Sequence, residues 1–140
     1  VMPFGEYTCL FSGHPSSDPT RSAHGVAICL NRQATTAWRE AGSVWEAVSE
    51  RIVYCRLRAH PVNITLVSAY SPVNPQSGQT AAEVASDSFY SDLQRTIDRV
   101  SSGDMLLILG DLNARVSRRQ HQSGTSVVGP HAVDQLNENG

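Results

Sequence analysis

The chain has 140 residues, 40% of them hydrophobic, and a formal charge of −2, enough for one modest domain that buries ~70% of the surface its unfolded chain exposes. That balance excludes a nonspecific polycationic coat for nucleic acid, and no apolar run approaches the ~18 residues a bilayer-spanning helix needs. All eleven basic residues are arginine, a usage that suits bidentate phosphate contacts and that a biased genome produces equally well.

Tyr7 to Phe11 reads as a short strand, Gly13 to Ala23 as a Ser/Pro/Asp loop, and Gly25 to Leu30 as a second apolar strand. Asn31 to Glu46 shows no clear period and reads as a loop pinned to the core by Trp38 and Trp45. Arg51 to Arg58 alternates, with Val53, Cys55 and Leu57 on one side and Tyr54, Arg56 and Arg58 on the other, the signature of a strand with one wet face. Val62 to Tyr70 alternates again after the short His60-Pro61 connection, which predicts an antiparallel hairpin. Ser71 to Gln79 reads as a loop. Ala81 to Val100 then places Ala85, Phe89, Leu93, Ile97 and Val100 on one helical face, and Ser101-Ser102-Gly103 stops the helix.

The most informative stretch follows, D-M-L-L-I-L-G-D-L-N-A over Asp104 to Ala114. Five apolar residues bounded by turn-formers predict a strand buried on both faces. Gly110 permits a sharp change of direction, leaving Asp111 and Asn113 at the strand end. A helix between this strand and the preceding one lets the two lie side by side and parallel. Ligands of open α/β sheets bind beyond the carboxyl ends of strands. Tyr70, Asp111 and Asn113 are therefore expected on one rim, where hard oxygens suit a divalent cation or a phosphate. The same G-D-L-N residues also suit a plain Asx turn, with the carboxylate bonding local backbone N–H groups. Arg115, Arg118 and Arg119 read either as a solvated loop or as a phosphate-facing rim.

Cys9, Cys29 and Cys55 are widely spaced and sit in apolar or alternating stretches, so three buried free thiols of a reducing compartment are expected. The five histidines lack an H-x-x-x-H spacing, which argues against a zinc site. The element order predicts an α/β layered domain, a mixed and largely antiparallel sheet with a helix packed on it.

S-A-Y-S-P-V-N (Ser68 to Asn74), a helix, then L-I-L-G-D-L-N-A (Leu107 to Ala114) resembles the endonuclease/exonuclease/phosphatase superfamily. H-G-V-A-I-C-L (His24 to Leu30), W-E-A-V-S-E-R-I (Trp45 to Ile52) and G-P-H-A-V-D-Q-L-N-E-N-G (Gly129 to Gly140) narrow the resemblance to endonucleases of non-LTR, LINE-type retrotransposons and sequences derived from them. The resemblance implies the central part of a DNase I-like four-layer α/β sandwich, a single domain over residues 1–140 truncated at both ends. It implies phosphodiester hydrolysis of DNA with Mg²⁺ (or Mn²⁺), in an intracellular, nuclear setting, with a reverse transcriptase domain in the full-length polypeptide.

By the same resemblance Asp111 matches the aspartate that orients water and meets the metal. Asn113 matches the asparagine that holds phosphate or metal, and Tyr70 the active-site tyrosine, with Asn74 and Arg115 as candidate phosphate contacts. The family's upstream asparagine and glutamate and its downstream Ser-Asp-His ending have no counterpart here, and His131-Ala132-Val133-Asp134 stands where the family writes H-G-V-G. The expectation is a fragment with little or no activity alone. Two alternatives stay open: a non-catalytic interaction module that inherits the rim, and a phosphomonoesterase or phosphoinositide phosphatase of the same fold.

Overall fold

Residues 1–13, 24–73 and 80–115 are described by a computed structural model. Alternation along β2 (Tyr7–Gly13) and β3 (Gly25–Leu30) turns Leu10, Ile28 and Leu30 to one side. The two strands pair antiparallel, and the short β1 (Met2–Phe4) adds a third strand along β2. A second sheet has the order β4 (Trp45–Ser49), β5 (Ile52–Leu57), β6 (Ile64–Tyr70), β7 (Met105–Asp111). Its first two pairings are antiparallel and β6 with β7 is parallel, as the intervening helix requires.

Leu10, Ile28 and Leu30 of the first sheet meet Val53 and Cys55 of β5, with Trp38 closing the cluster. On the opposite face of the second sheet, Ile52, Val67 and Ala69 pack under Phe89 and Leu93 of α2 (Thr80–Asp98). The architecture is thus sheet, sheet, helix: a mixed α/β arrangement compatible with an incomplete α/β sandwich. Arg56 ties the second sheet together from β5, donating to both carboxylate oxygens of Asp104 at 2.7 and 2.8 Å, while the Thr65 hydroxyl donates to the same carboxylate at 2.9 Å.

Several expectations need correction. Asn31 to Glu46 is not a pinned loop, because Arg32–Glu40 forms helix α1 and Trp45 opens β4. Asn31 caps that helix by accepting from the Ala34 N–H at 2.8 Å. Its exit bends through Gly42 (φ +84°) and Ser43 (φ 56°), with the Ser43 N–H returning to the Trp38 carbonyl. Nine residues with two adjacent threonines give a weak helical signal. Trp38 is nonetheless a core residue, as expected, and donates Nε1–H to the Val44 carbonyl.

β5 does not have one wet face, since Ile52 is fully buried on the side that carries Tyr54. The face expected for α2 holds at Phe89 and Leu93 but not at Ala85, which is exposed. Nor is β7 buried on both faces. Among the described residues it pairs only with β6, and Met105, Leu107, Ile108 and Leu109 are all exposed. The apolar run reports what this strand is suited to meet rather than what covers it. Only Cys55 is a buried thiol; Cys9 is half-buried and Cys29 exposed.

Candidate functional site: the rim at the ends of β6 and β7

The parallel register runs from Ile64 opposite Met105 to Tyr70 opposite Asp111. Aligned residues of neighbouring strands send their side chains to the same face. By the two-residue alternation, Tyr70 shares its face with Leu66, which packs in the cluster between the sheets. Tyr70 and Asp111 are therefore register partners at one edge of the sheet, as the strand-end argument predicts.

The residue before Asp111 permits this closeness. Gly110 has φ +140°, and a Cβ there would lie 1.9 Å from the Ala69 carbonyl oxygen. Only glycine satisfies both conditions. One step beyond the ladder, the Ser71 N–H donates to the Asp111 carbonyl at 2.9 Å. Asn113, with φ 48°, turns the chain back: its N–H donates to Asp111 Oδ1 at 2.8 Å and its Nδ2–H to the Ser71 carbonyl at 2.7 Å. The Asx turn is thus present: it holds the Asn113 backbone against the Asp111 carboxylate while the carboxamide ties back to Ser71.

Two further residues reach this rim without having been singled out from the sequence. Arg51, in the tight β4–β5 turn, accepts the Tyr70 N–H on its carbonyl at 2.9 Å, and its Nη1 donates to the Tyr70 carbonyl at 3.3 Å. Its guanidinium carbon lies 5.2 Å from the Tyr70 ring centroid, a cation–π distance. Its Nη2 is 2.9 Å from His24 Nε2; a guanidinium only donates, so that imidazole nitrogen is the acceptor. His24 comes from the first sheet, just before β3, and its ring centroid is 6.2 Å from that of Tyr70. Glu50 Oε1 lies 3.9 Å from Arg51 Nε. The words H-G-V-A-I-C-L and W-E-A-V-S-E-R-I contain His24 and Arg51, but only three-dimensional proximity shows that both converge on Tyr70.

The remaining candidates separate. Arg115 is exposed in the segment that leaves the rim. Asn74, Arg118, Arg119, His131 and the Gly129 to Gly140 word lie outside the described residues, as does most of the Gly13 to Ala23 loop. An apolar cleft of about 460 Å³ between β3 and the β6–β7 pair is lined by Tyr7, Ile28, Leu30, Leu66 and Leu109, and by none of the rim side chains. Arg56, then Thr65, hold Asp104 below the usual carboxylate range, and burial pushes the Cys55 thiol up to about 11.

Asp111 and Asn113 offer the hard oxygens that suit Mg²⁺, but two side chains supply fewer donors than the about six such a cation takes. Among the described residues no group of three or more His, Cys, Asp or Glu side chains is arranged to hold a metal. A cation held by this pair would need water and substrate oxygens to complete its shell.

No protein-family model matches the chain. It is 29% identical over 97 residues to craniofacial development protein 2 of Bos taurus, covering 69% of this chain and 15% of that protein. It is 27% identical to the Tragulus javanicus protein of the same name over the same shares. The chain is thus similar to a minor part, about one-seventh, of these curated relatives.

Proposed function

We propose that the rim formed by Tyr70, Asp111 and Asn113 is the phosphodiester-binding edge of a DNase I-like, divalent-metal-dependent endonuclease of the LINE-type retrotransposon branch or a domesticated derivative. The observation that carries this reading is the register of Tyr70 opposite Asp111, with Asn113 folded back over Ser71. Both the motif resemblance and the similarity to craniofacial development protein 2 support it.

In this reading the Asp111 carboxylate orients a water toward phosphorus, and Asp111 and Asn113 are the residues that would hold the cation. The Tyr70 phenol donates to a phosphate oxygen as negative charge grows. Arg51 holds the phenol's strand end and adds positive charge beside it. When bound, Mg²⁺ or Mn²⁺ supplies Lewis acidity to the phosphoryl oxygens. Asn74 and Arg115 are proposed to touch flanking phosphates. The substrate is DNA, met in the nucleus by a polypeptide that also carries a reverse transcriptase. Residues 1–140 belong to one domain of it.

The test is Mg²⁺-dependent binding of a short DNA duplex followed by anisotropy, with plasmid nicking in parallel. Binding is expected to weaken by about tenfold or more in Asp111→Ala and in Tyr70→Phe, since one lost charge-assisted contact is worth roughly that factor. Nicking by the chain alone is expected to be trace, because a general base paired with an acid is needed for efficient turnover at neutral pH. Unchanged binding in both folded variants overturns the proposal.

A second reading is favoured by one specific feature: Asp111 and Asn113 already bond to the backbone of the turn. If those bonds are their whole role, the domain is an interaction module with an inherited rim. Asp111→Ala then lowers stability and leaves DNA binding unchanged. A phosphatase of the same fold is distinguished by hydrolysis of a phosphomonoester in place of DNA.

A further inference from the structure

Cys9 and Cys29 stand directly opposite each other on the antiparallel strands β2 and β3, and their sulfurs are 3.2 Å apart. We propose that this cross-strand pair is a dithiol site, open to two-electron oxidation by low-molecular-weight disulfides and to bidentate capture of thiophilic reagents.

Three observations carry it. Opposed residues of an antiparallel pair have Cα atoms about 4.5–5.5 Å apart, within the about 4.4–6.8 Å spanned by disulfides, so bond formation asks for side-chain rotation and no strand movement. The pair also faces outward. Leu10, Ile28 and Leu30, the neighbours in sequence, turn into the core, while Cys29 is exposed and Cys9 half-buried. Finally, the two thiols are not equivalent. The hydrogen bond to Cys29, then desolvation, raises the Cys9 thiol above its ordinary value. Cys29, the more exposed of the two, is the sulfur that an incoming disulfide meets first.

The step balances as two exchanges. The Cys29 thiolate attacks one sulfur of glutathione disulfide, forming a mixed disulfide and releasing one glutathione thiolate, which takes up a proton. Cys9, on losing its proton, attacks the Cys29 sulfur, forms the Cys9–Cys29 bond and releases the second glutathione. Two protein thiols give up two electrons and two protons, and one small disulfide becomes two thiols. Cys55, fully buried and pushed up to about 11, stays out of the exchange and is an internal control.

The experiment treats the reduced full chain with glutathione disulfide, quenches with an alkylating reagent, unfolds it, alkylates Cys55 with a second reagent and maps the peptides. The expected result is one intramolecular disulfide joining Cys9 to Cys29, the loss of two hydrogens from the intact mass, and an unfolding midpoint raised by about 5 °C through closure of the intervening loop. A trivalent arsenical added to reduced protein is expected to protect both cysteines, with protection lost in Cys29→Ser and retained in Cys55→Ser. Stable glutathione on Cys29 with Cys9 left free, or a disulfide that includes Cys55, overturns the proposal. The disulfide map is obtained on the unsubstituted chain, so a poorly folding variant does not decide the outcome.

Discussion

Arg51 grips Tyr70 by both backbone polar groups: its carbonyl takes the Tyr70 N–H at 2.9 Å and its guanidinium reaches the Tyr70 carbonyl at 3.3 Å, while the cation lies 5.2 Å from the ring centroid. One side chain from a turn thereby sets where a phenol on the neighbouring strand ends. Arg51→Ala is expected to cost about 2–4 kcal/mol in urea unfolding, the sum of a charge-assisted hydrogen bond and a modest cation–π contact. Arg51→Lys restores charge without the planar fork and is expected to recover less than half of that loss.

Gly110→Ala tests the closest backbone approach at the rim. A methyl group 1.9 Å from the Ala69 carbonyl oxygen has nowhere to go, and φ +140° is costly for alanine in any case. A loss of about 3 kcal/mol or more is expected, with the faster hydrogen exchange confined first to the ends of β6 and β7.

Asn113 allows the turn's backbone and side chain to be separated. At φ 48°, Asn113→Gly relieves strain and removes the carboxamide bond to Ser71, whereas Asn113→Ala removes the bond and keeps the strain. The glycine variant is expected to be the more stable of the two by about 1 kcal/mol in equilibrium unfolding.

The Arg56–Asp104 pair sets an acid limit. Asp104 is held below its ordinary range by Arg56 first and Thr65 after it. Its folded-state value is lowered, so its contribution is complete above the unfolded carboxylate value of about 3.9 and is lost as pH falls through the lower folded value. The wild type is expected to lose stability more steeply below about pH 4 than Asp104→Asn, measured by urea unfolding across pH. At neutral pH that variant is expected to cost about 2 kcal/mol, a figure already trimmed because the Arg56 side chain is 35% exposed and partly screened.

The exposed leucines of β7 form a hazard that the sequence conceals. Leu109 is 58% exposed on a strand that pairs, among the described residues, on one side only. Leu109→Lys is expected to lower concentration-dependent association in sedimentation without loss of the fold, because a charge on an edge opposes strand-to-strand pairing.

The strands with alternating or continuous apolar residues were readable from the chain, and so was the parallel partnership of β6 and β7, because a helix of that length dictates it. The α1 helix was not, since Thr35 and Thr36 weaken its propensity and its stability comes from burying Trp38. Exposure of β7 was unreadable for a different reason: a run such as L-L-I-L states a preference for burial and is silent on which partner provides it. At the rim, Tyr70, Asp111 and Asn113 were legible as strand-end punctuation. His24 and Arg51 were not, because they approach Tyr70 from different sheets, 27 residues apart in sequence, and no local pattern records that meeting.

The bond from Asn113 to Ser71 spans 42 residues of chain, so its closure must wait until the intervening helix has laid β7 along β6. Long-range parallel pairing pays its loop entropy before its contacts repay it. By that argument the rim assembles after the β5–β6 hairpin, whose short connection lets it form first and serve as the template on which the last strand is registered.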